Sequence, residues 1–187
     1  MAAFRTMWSG TATPIGAQAG AIVDSALAAA SFVNPILVGA TAASGEPFAA
    51  MKSDIAMQLQ RVARLVEARE SIGNARQVFF VSMGGFDTHD GQNRNQADLL
   101  ARLSHAIGYF DATLANIGGT DMRNQVTLFT ASDFGRTLSN NGDGSDHGWG
   151  SHHFVMGDHV EGKRWFGQLP AMAVNGPHDV GGGRLLP

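Results

Sequence analysis

The stretch from Gln77 to Thr137 constrains the fold more than any other part of this chain. QVFFVSMGG (77–85) is a run of β-favouring and apolar residues closed by paired glycines, and it reads as one buried strand. VTLFTAS (126–132) reads as another, with a long amphipathic helix between the two. A strand, a covering helix and a second strand form the pattern of a right-handed crossover between parallel strands. The expected fold is therefore α/β, a mostly parallel sheet flanked by helices. Each strand ends in polar chemistry: Asp87-Thr88-His89-Asp90 follows the first, and Asp133-Phe134-Gly135-Arg136-Thr137 follows the second. Ligand sites in parallel sheets lie outside the carboxyl ends of the strands. Asp87, His89 and Asp133 are thus expected to meet at one rim.

The flanking helices are legible from periodicity. Met51, Ile55, Leu59, Val62 and Val66 recur at helical spacing and define one apolar face, while Lys52, Arg61, Arg64, Glu67 and Arg69 populate the remainder. Ile72-Gly73-Asn74 is a suitable stop, with glycine free to adopt the left-handed conformation. The second helix spans Gln92 to Ile117. Its stripe is Leu99, Leu103, Ile107, Phe110, Leu114 and Ile117, joined by Leu100 and Ala106, and Gly118-Gly119 closes it. His105 lies within this helix, away from both strand ends. Leu138–Gly150 is so dense in Asn, Gly and Asp that it predicts irregular loop. His152–Gly157 reads as a short strand, and Leu169–Val174 as a last one.

Residues 1–47 form a less defined segment, an alanine-rich helix around Ala21–Ala30 followed by a loop; residues 48–187 form the α/β domain. Gln18, Asp24, Asn34 and Pro35 interrupt the alanine-rich part, which argues against a membrane span. A net charge of -3 gives no reason to expect a nucleic-acid partner. With no cysteine in the chain, disulfides and thiolate metal ligands are excluded.

Histidine and carboxylate remain as the metal-ligand vocabulary. Four of the 7 histidines, His147, His152, His153 and His159, fall in a short glycine-rich segment beside Asp146. Together with Asp87-x-His89 and Asp133, they form a ligand set suited to zinc, manganese or iron. The candidate metal ligands are Asp87, His89, Asp133, Asp146, His147 and His152. A divalent ion held this way, with a position left open, polarises an ester oxygen and activates water. Arg136 could offer a planar fork to a tetrahedral oxyanion, or it could form a salt bridge with a nearby aspartate. Two further readings fit the same residues: a non-catalytic binding or assembly module organised by a metal, and a glycosidase built on Asp87 and Asp133, which would leave the histidines unexplained.

GGFDTHDGQ, the leucine-rich helix, VTLFTASDFGRTLSNNGDGSDHGWGSHHFVMG and the closing GRLLP resemble a bacterial family known as domain of unknown function 1501, over about residues 48–187. That family is grouped with the alkaline phosphatase and sulfatase superfamily. The resemblance implies a partial α/β sandwich and a divalent-metal-dependent hydrolase, zinc or manganese being the expected ion. The substrate would be a small phosphate or sulfate ester, or a related ester or glycoside. Carried over, Asp87 and His89 are the first ligand pair, Asp133 the later carboxylate and His147 the loop histidine. Where superfamily members place a histidine after the strand-end aspartate, this chain has Phe134. The resemblance further implies the carboxyl-terminal part of a longer hydrolase, an exported protein, and a homo-oligomer formed through exposed sheet edges.

Overall fold

A computed structural model describes residues 14–39 and 53–186. Helix α1 (Pro14–Gly39) is longer than the sequence suggested, and its described side chains are exposed or half-buried. By length and hydropathy alone Ala17–Ile36 is apolar enough to cross a membrane, a test that a signal sequence also passes. The loop expected after α1, and Met51 of the next helix, lie outside the described residues.

Helix α2 (Asp54–Glu67) starts at Ser53, whose side chain accepts the Ala56 N–H, and Asp54 complements the first turn. It buries Ile55, Ala56, Leu59, Val62, Ala63 and Val66, the face that the spacing predicts. The chain then bends at Ala68 into the short α3 (Arg69–Ile72), which Gly73 ends at φ 75°. Helix α4 (Gln92–Leu114) packs Ala106, Phe110 and Leu114 against α2. Ile117 and Met122 complete the core, and Val81, Met83, Leu103, Val126, Leu128 and Met156 pack against it.

The parallel sheet does not form. Among the described residues the strands are short and pair only antiparallel: β1 (Leu128–Phe129) with β4 (Val155–Met156), and β2 (Gly135–Asn140) with β3 (Ser145–Gly148). Residues 77–83 have no strand partner among the described residues; Val78 is 97% and Phe80 91% exposed, where a buried strand was expected. β-propensity reflects a fit to a pleated, half-buried surface, and that surface exists only where a second strand comes alongside. Residues 169–174 form no strand either. The opposite correction applies to 138–150, expected to be irregular but contributing most of the β2–β3 hairpin.

The hairpin supports the end of the chain. Leu138 N–H donates to the Gly183 carbonyl (2.9 Å) and Gly150 N–H to the Leu185 carbonyl (3.0 Å), with Leu185 buried. Asp179 ties the preceding turn by accepting the N–H groups of Asn175, Gly181 and Gly183. These donors, Asn175 first and Gly181 next, hold its carboxyl below the usual carboxylate range. A lowered native pKa means that the turn is fully supported above the ordinary aspartate range and loses support as pH falls through the native value. The Gly181 and Gly183 amide resonances should therefore shift on acidification. In Asp179→Ala they should occupy displaced positions at neutral pH with no acid titration of their own.

Candidate metal centre

Two pieces of backbone build the site. The first is the loop 85–91, which leaves the extended segment and enters α4. The second is the β2–β3 hairpin, and the two dock edge to edge. Gln92 N–H donates to the Asp143 carbonyl (3.0 Å), Ser145 Oγ donates to Gln92 Oε1 (2.7 Å), and Asn141 Nδ2 donates to the His89 carbonyl (2.9 Å). Gly144 permits this contact, because a Cβ there would stand 2.1 Å from the His89 carbonyl oxygen. Gly135 and Gly150 allow a similar approach at the other end of the hairpin, where a Cβ on Gly135 would stand 1.8 Å from the Gly150 oxygen.

The docking aims three side chains at one point. Asp87 Oδ1 lies 2.8 Å from His89 Nε2 and 2.7 Å from His147 Nε2, and the two Nε2 atoms are 3.3 Å apart. All three side chains are open to solvent, at 58% for Asp87 and 47% for each imidazole. The hydrogen bond to His147, followed by that to Arg136, holds the Asp87 carboxyl below the usual carboxylate range. His147 is oriented by Phe134, whose ring stacks on it at 4.1 Å with planes 7° apart.

Arg136 backs the group. Its Nη1 lies 3.2 Å from Asp87 Oδ1, its Nε donates to Ser145 Oγ at 3.1 Å, and its Nη2 donates to the Ser145 carbonyl. Its side chain is only 12% exposed, and each of its three guanidinium nitrogens has a partner. Of the two roles open to it, the salt bridge with Asp87 is formed.

The three ligand atoms all lie within 4.8 Å of one another. A zinc ion with ligands at about 2.0–2.1 Å separates adjacent tetrahedral donors by about 3.3 Å. The imidazole pair already has that separation, and the carboxylate needs to retreat by only about half an ångström. The residues therefore fit a divalent cation, as an Asp-His-His set with its remaining positions open to solvent.

The other candidates lie outside this group. Asp133 is exposed and makes no hydrogen bond or ion pair among the described residues. Asp146 borders the site but is engaged elsewhere: Oδ1 accepts the His147 N–H at 2.8 Å and Oδ2 pairs with Arg184 at 2.5 Å. His152 packs edge-on against Trp165, ring centres 5.6 Å apart. Sequence reasoning passed over Asn141, Gly144 and Ser145 as participants and noted Phe134 only as a departure from the superfamily pattern; the glycine density of 142–150 was a signal for backbone that bends or approaches a ligand closely. A cavity of about 630 Å³ lies nearby, lined by Gln58, Arg61, Gly84, Leu99 and Arg102 among others, but contains none of the three ligands.

A family model described as "Protein of unknown function (DUF1501)" matches residues 11–180. No curated protein and no solved structure matches the chain.

Proposed function

This chain belongs to the DUF1501 family of proteins of unknown function, and we propose from the geometry of its site that it is a metal-dependent hydrolase of phosphate, sulfate or related esters. One observation carries the reading: a carboxylate and two imidazoles, drawn from segments 60 residues apart, converge on one solvent-open point. Two imidazole nitrogens and a carboxylate oxygen brought to one point are a ligand set that divalent zinc and similar ions accept.

In this reading Asp87, His89 and His147 hold the ion. When bound, a divalent cation supplies Lewis-acid polarisation of the ester and activation of water. Hydrolysis breaks the phosphorus–oxygen or sulfur–oxygen bond; water provides the new oxygen and, in sum, the proton taken up by the leaving alcohol. Arg136 is a positioning residue that fixes Asp87 Oδ1, and Phe134 fixes the plane of the His147 ring. The exposure of the group leaves room for a substrate to approach from solvent. Kinship with the alkaline phosphatase and sulfatase superfamily is part of the proposal. It rests on the motif resemblance alone, namely Asp87-x-His89, the Asp133 that follows a strand, and His147 in a glycine-rich segment.

The second reading, a metal that staples structure without turnover, is favoured by one feature. The ligands bridge the 85–91 loop and the hairpin, so an ion there would join them.

The test is metal content followed by turnover. Protein purified without added metal should carry, or take up, about one zinc or manganese ion per chain. It should cleave chromogenic aryl phosphates or sulfates, lose that activity to a chelator and regain it on readdition. Metal-loaded protein that melts higher yet cleaves neither ester class would overturn the hydrolase reading in favour of the staple. Protein that takes up no ion would overturn both.

A further inference from the structure

Residues 77–83 face the core with alternate side chains. Gln77, Val81 and Met83 are half-buried and Phe79 is 36% exposed, while Val78 and Phe80 are 97% and 91% exposed. A two-residue period of exposure is that of an extended strand. Within the segment, Ser82 alone has backbone hydrogen bonds to described residues, with Gln58 Nε2 donating to its carbonyl (2.8 Å) and its N–H donating to Gln58 Oε1 (2.9 Å). In a strand, alternate residues direct both backbone groups to the same edge. Gln58 therefore closes one end of the edge shared by Val78, Phe80 and Ser82, and the edge of Phe79 and Val81 has no hydrogen-bond partner among the described residues.

Proteins usually protect such an edge with charge, proline or a bulge. This one has none of them: no charged residue or proline lies between Gln77 and Phe86. The side chains that point away from the core, Val78 and Phe80, are apolar, as are outward-facing Phe129 (71% exposed) and Val155 (49%) on β1 and β4.

We propose that residues 77–83 pair antiparallel with the same segment of a second copy of this chain, forming a two-fold dimer centred on Phe80. About that axis Phe79 of one copy bonds reciprocally with Val81 of the other through the open edge. Phe80 faces Phe80 as a non-hydrogen-bonded pair, and Val78 faces Ser82. No like charges oppose one another, and the contact is self-complementary, as a closed two-fold interface requires. The pairing satisfies the open backbone groups and covers both phenylalanines together.

The experiment exploits the absence of cysteine from the chain. Cα atoms of a non-hydrogen-bonded antiparallel pair are about 4.5 Å apart, within disulfide reach. Phe80→Cys should therefore oxidise to a covalent dimer, whereas Leu100→Cys, an exposed position on α4, should not. By light scattering the parent chain should have the mass of a dimer. Phe80→Lys, at a side chain too exposed to matter for folding, should raise the dissociation constant at least about tenfold with an unchanged circular dichroism spectrum. A monomeric parent, equal cross-linking at both positions, or a Phe80→Lys variant that dimerises as tightly as the parent would each overturn the proposal.

Discussion

Asp87→Ala is expected to reduce divalent-metal affinity by more than about 100-fold, beyond the 10–100-fold typical of losing a group that only supports a ligand. The reason is local. Asp87 Oδ1 is the one atom within hydrogen-bond reach of His89 Nε2, His147 Nε2 and the Arg136 guanidinium at once. Its loss removes a ligand and also leaves two imidazoles 3.3 Å apart facing a cation, Arg136, with no anion between them. Asp87→Asn should fall between parent and alanine variant, since the amide oxygen can still accept a hydrogen bond or coordinate a cation but brings no charge. His105→Ala, on the exposed face of α4, provides the control and should bind as the parent does. Calorimetric titration with zinc or manganese reads all three. Affinity in every competent variant should also drop as the solution is acidified, because ligation requires deprotonated donors. Asp87→Ala with parental affinity would remove the basis of the metal centre.

The helices were readable in the sequence because their information is local. Ile55, Leu59, Val62 and Val66 lie on one face whatever surrounds them, and all four are buried. The strands were not, because pairing depends on what arrives from elsewhere. VTLFTAS has the composition of a long strand yet pairs only at Leu128 and Phe129, with an antiparallel neighbour rather than a parallel one. LSNNGDGSDHGWG misled in the other direction. Its Asn and Gly residues make the turn at 141–144, and its other glycines admit close backbone contacts, so a segment that looks like loop chemistry is mostly hairpin. The site divides the same way. Residue type marked Asp87, His89 and His147 as candidate ligands, but type alone could not separate this converging group from Asp133, Asp146 and His152. That separation comes from how the 85–91 loop sits on the hairpin. Arg136 shows the limit most plainly: its salt bridge depends on Asp87 and Ser145 being within reach, which only the folded arrangement supplies.

Gly144→Ala tests whether that docking builds the proposed metal centre. A Cβ at this position would lie 2.1 Å from the His89 carbonyl oxygen, 2.3 Å from its carbon and 2.7 Å from the Thr88 oxygen. All three are backbone atoms, so no rotamer change can relieve the contact, and the loop must separate from the hairpin. Overpacking of this kind costs about 1–3 kcal/mol or more. The separation would break the Asn141–His89 bond and carry His89 and Asp87 away from His147, so metal affinity should fall by about 10–100-fold, as for a lost supporting contact. Gly142→Ala isolates the steric effect. Gly142 has φ 100°, which an alanine adopts only under strain, but a Cβ there meets nothing within 4 Å. It should lower the melting temperature while leaving metal affinity within a few-fold of the parent. If the two variants lose affinity equally, general loosening of the hairpin is responsible and the ligands are not placed by the Gly144 contact. If only Gly144→Ala loses it, the absent side chain at residue 144 is what lets a carboxylate and two imidazoles share one point.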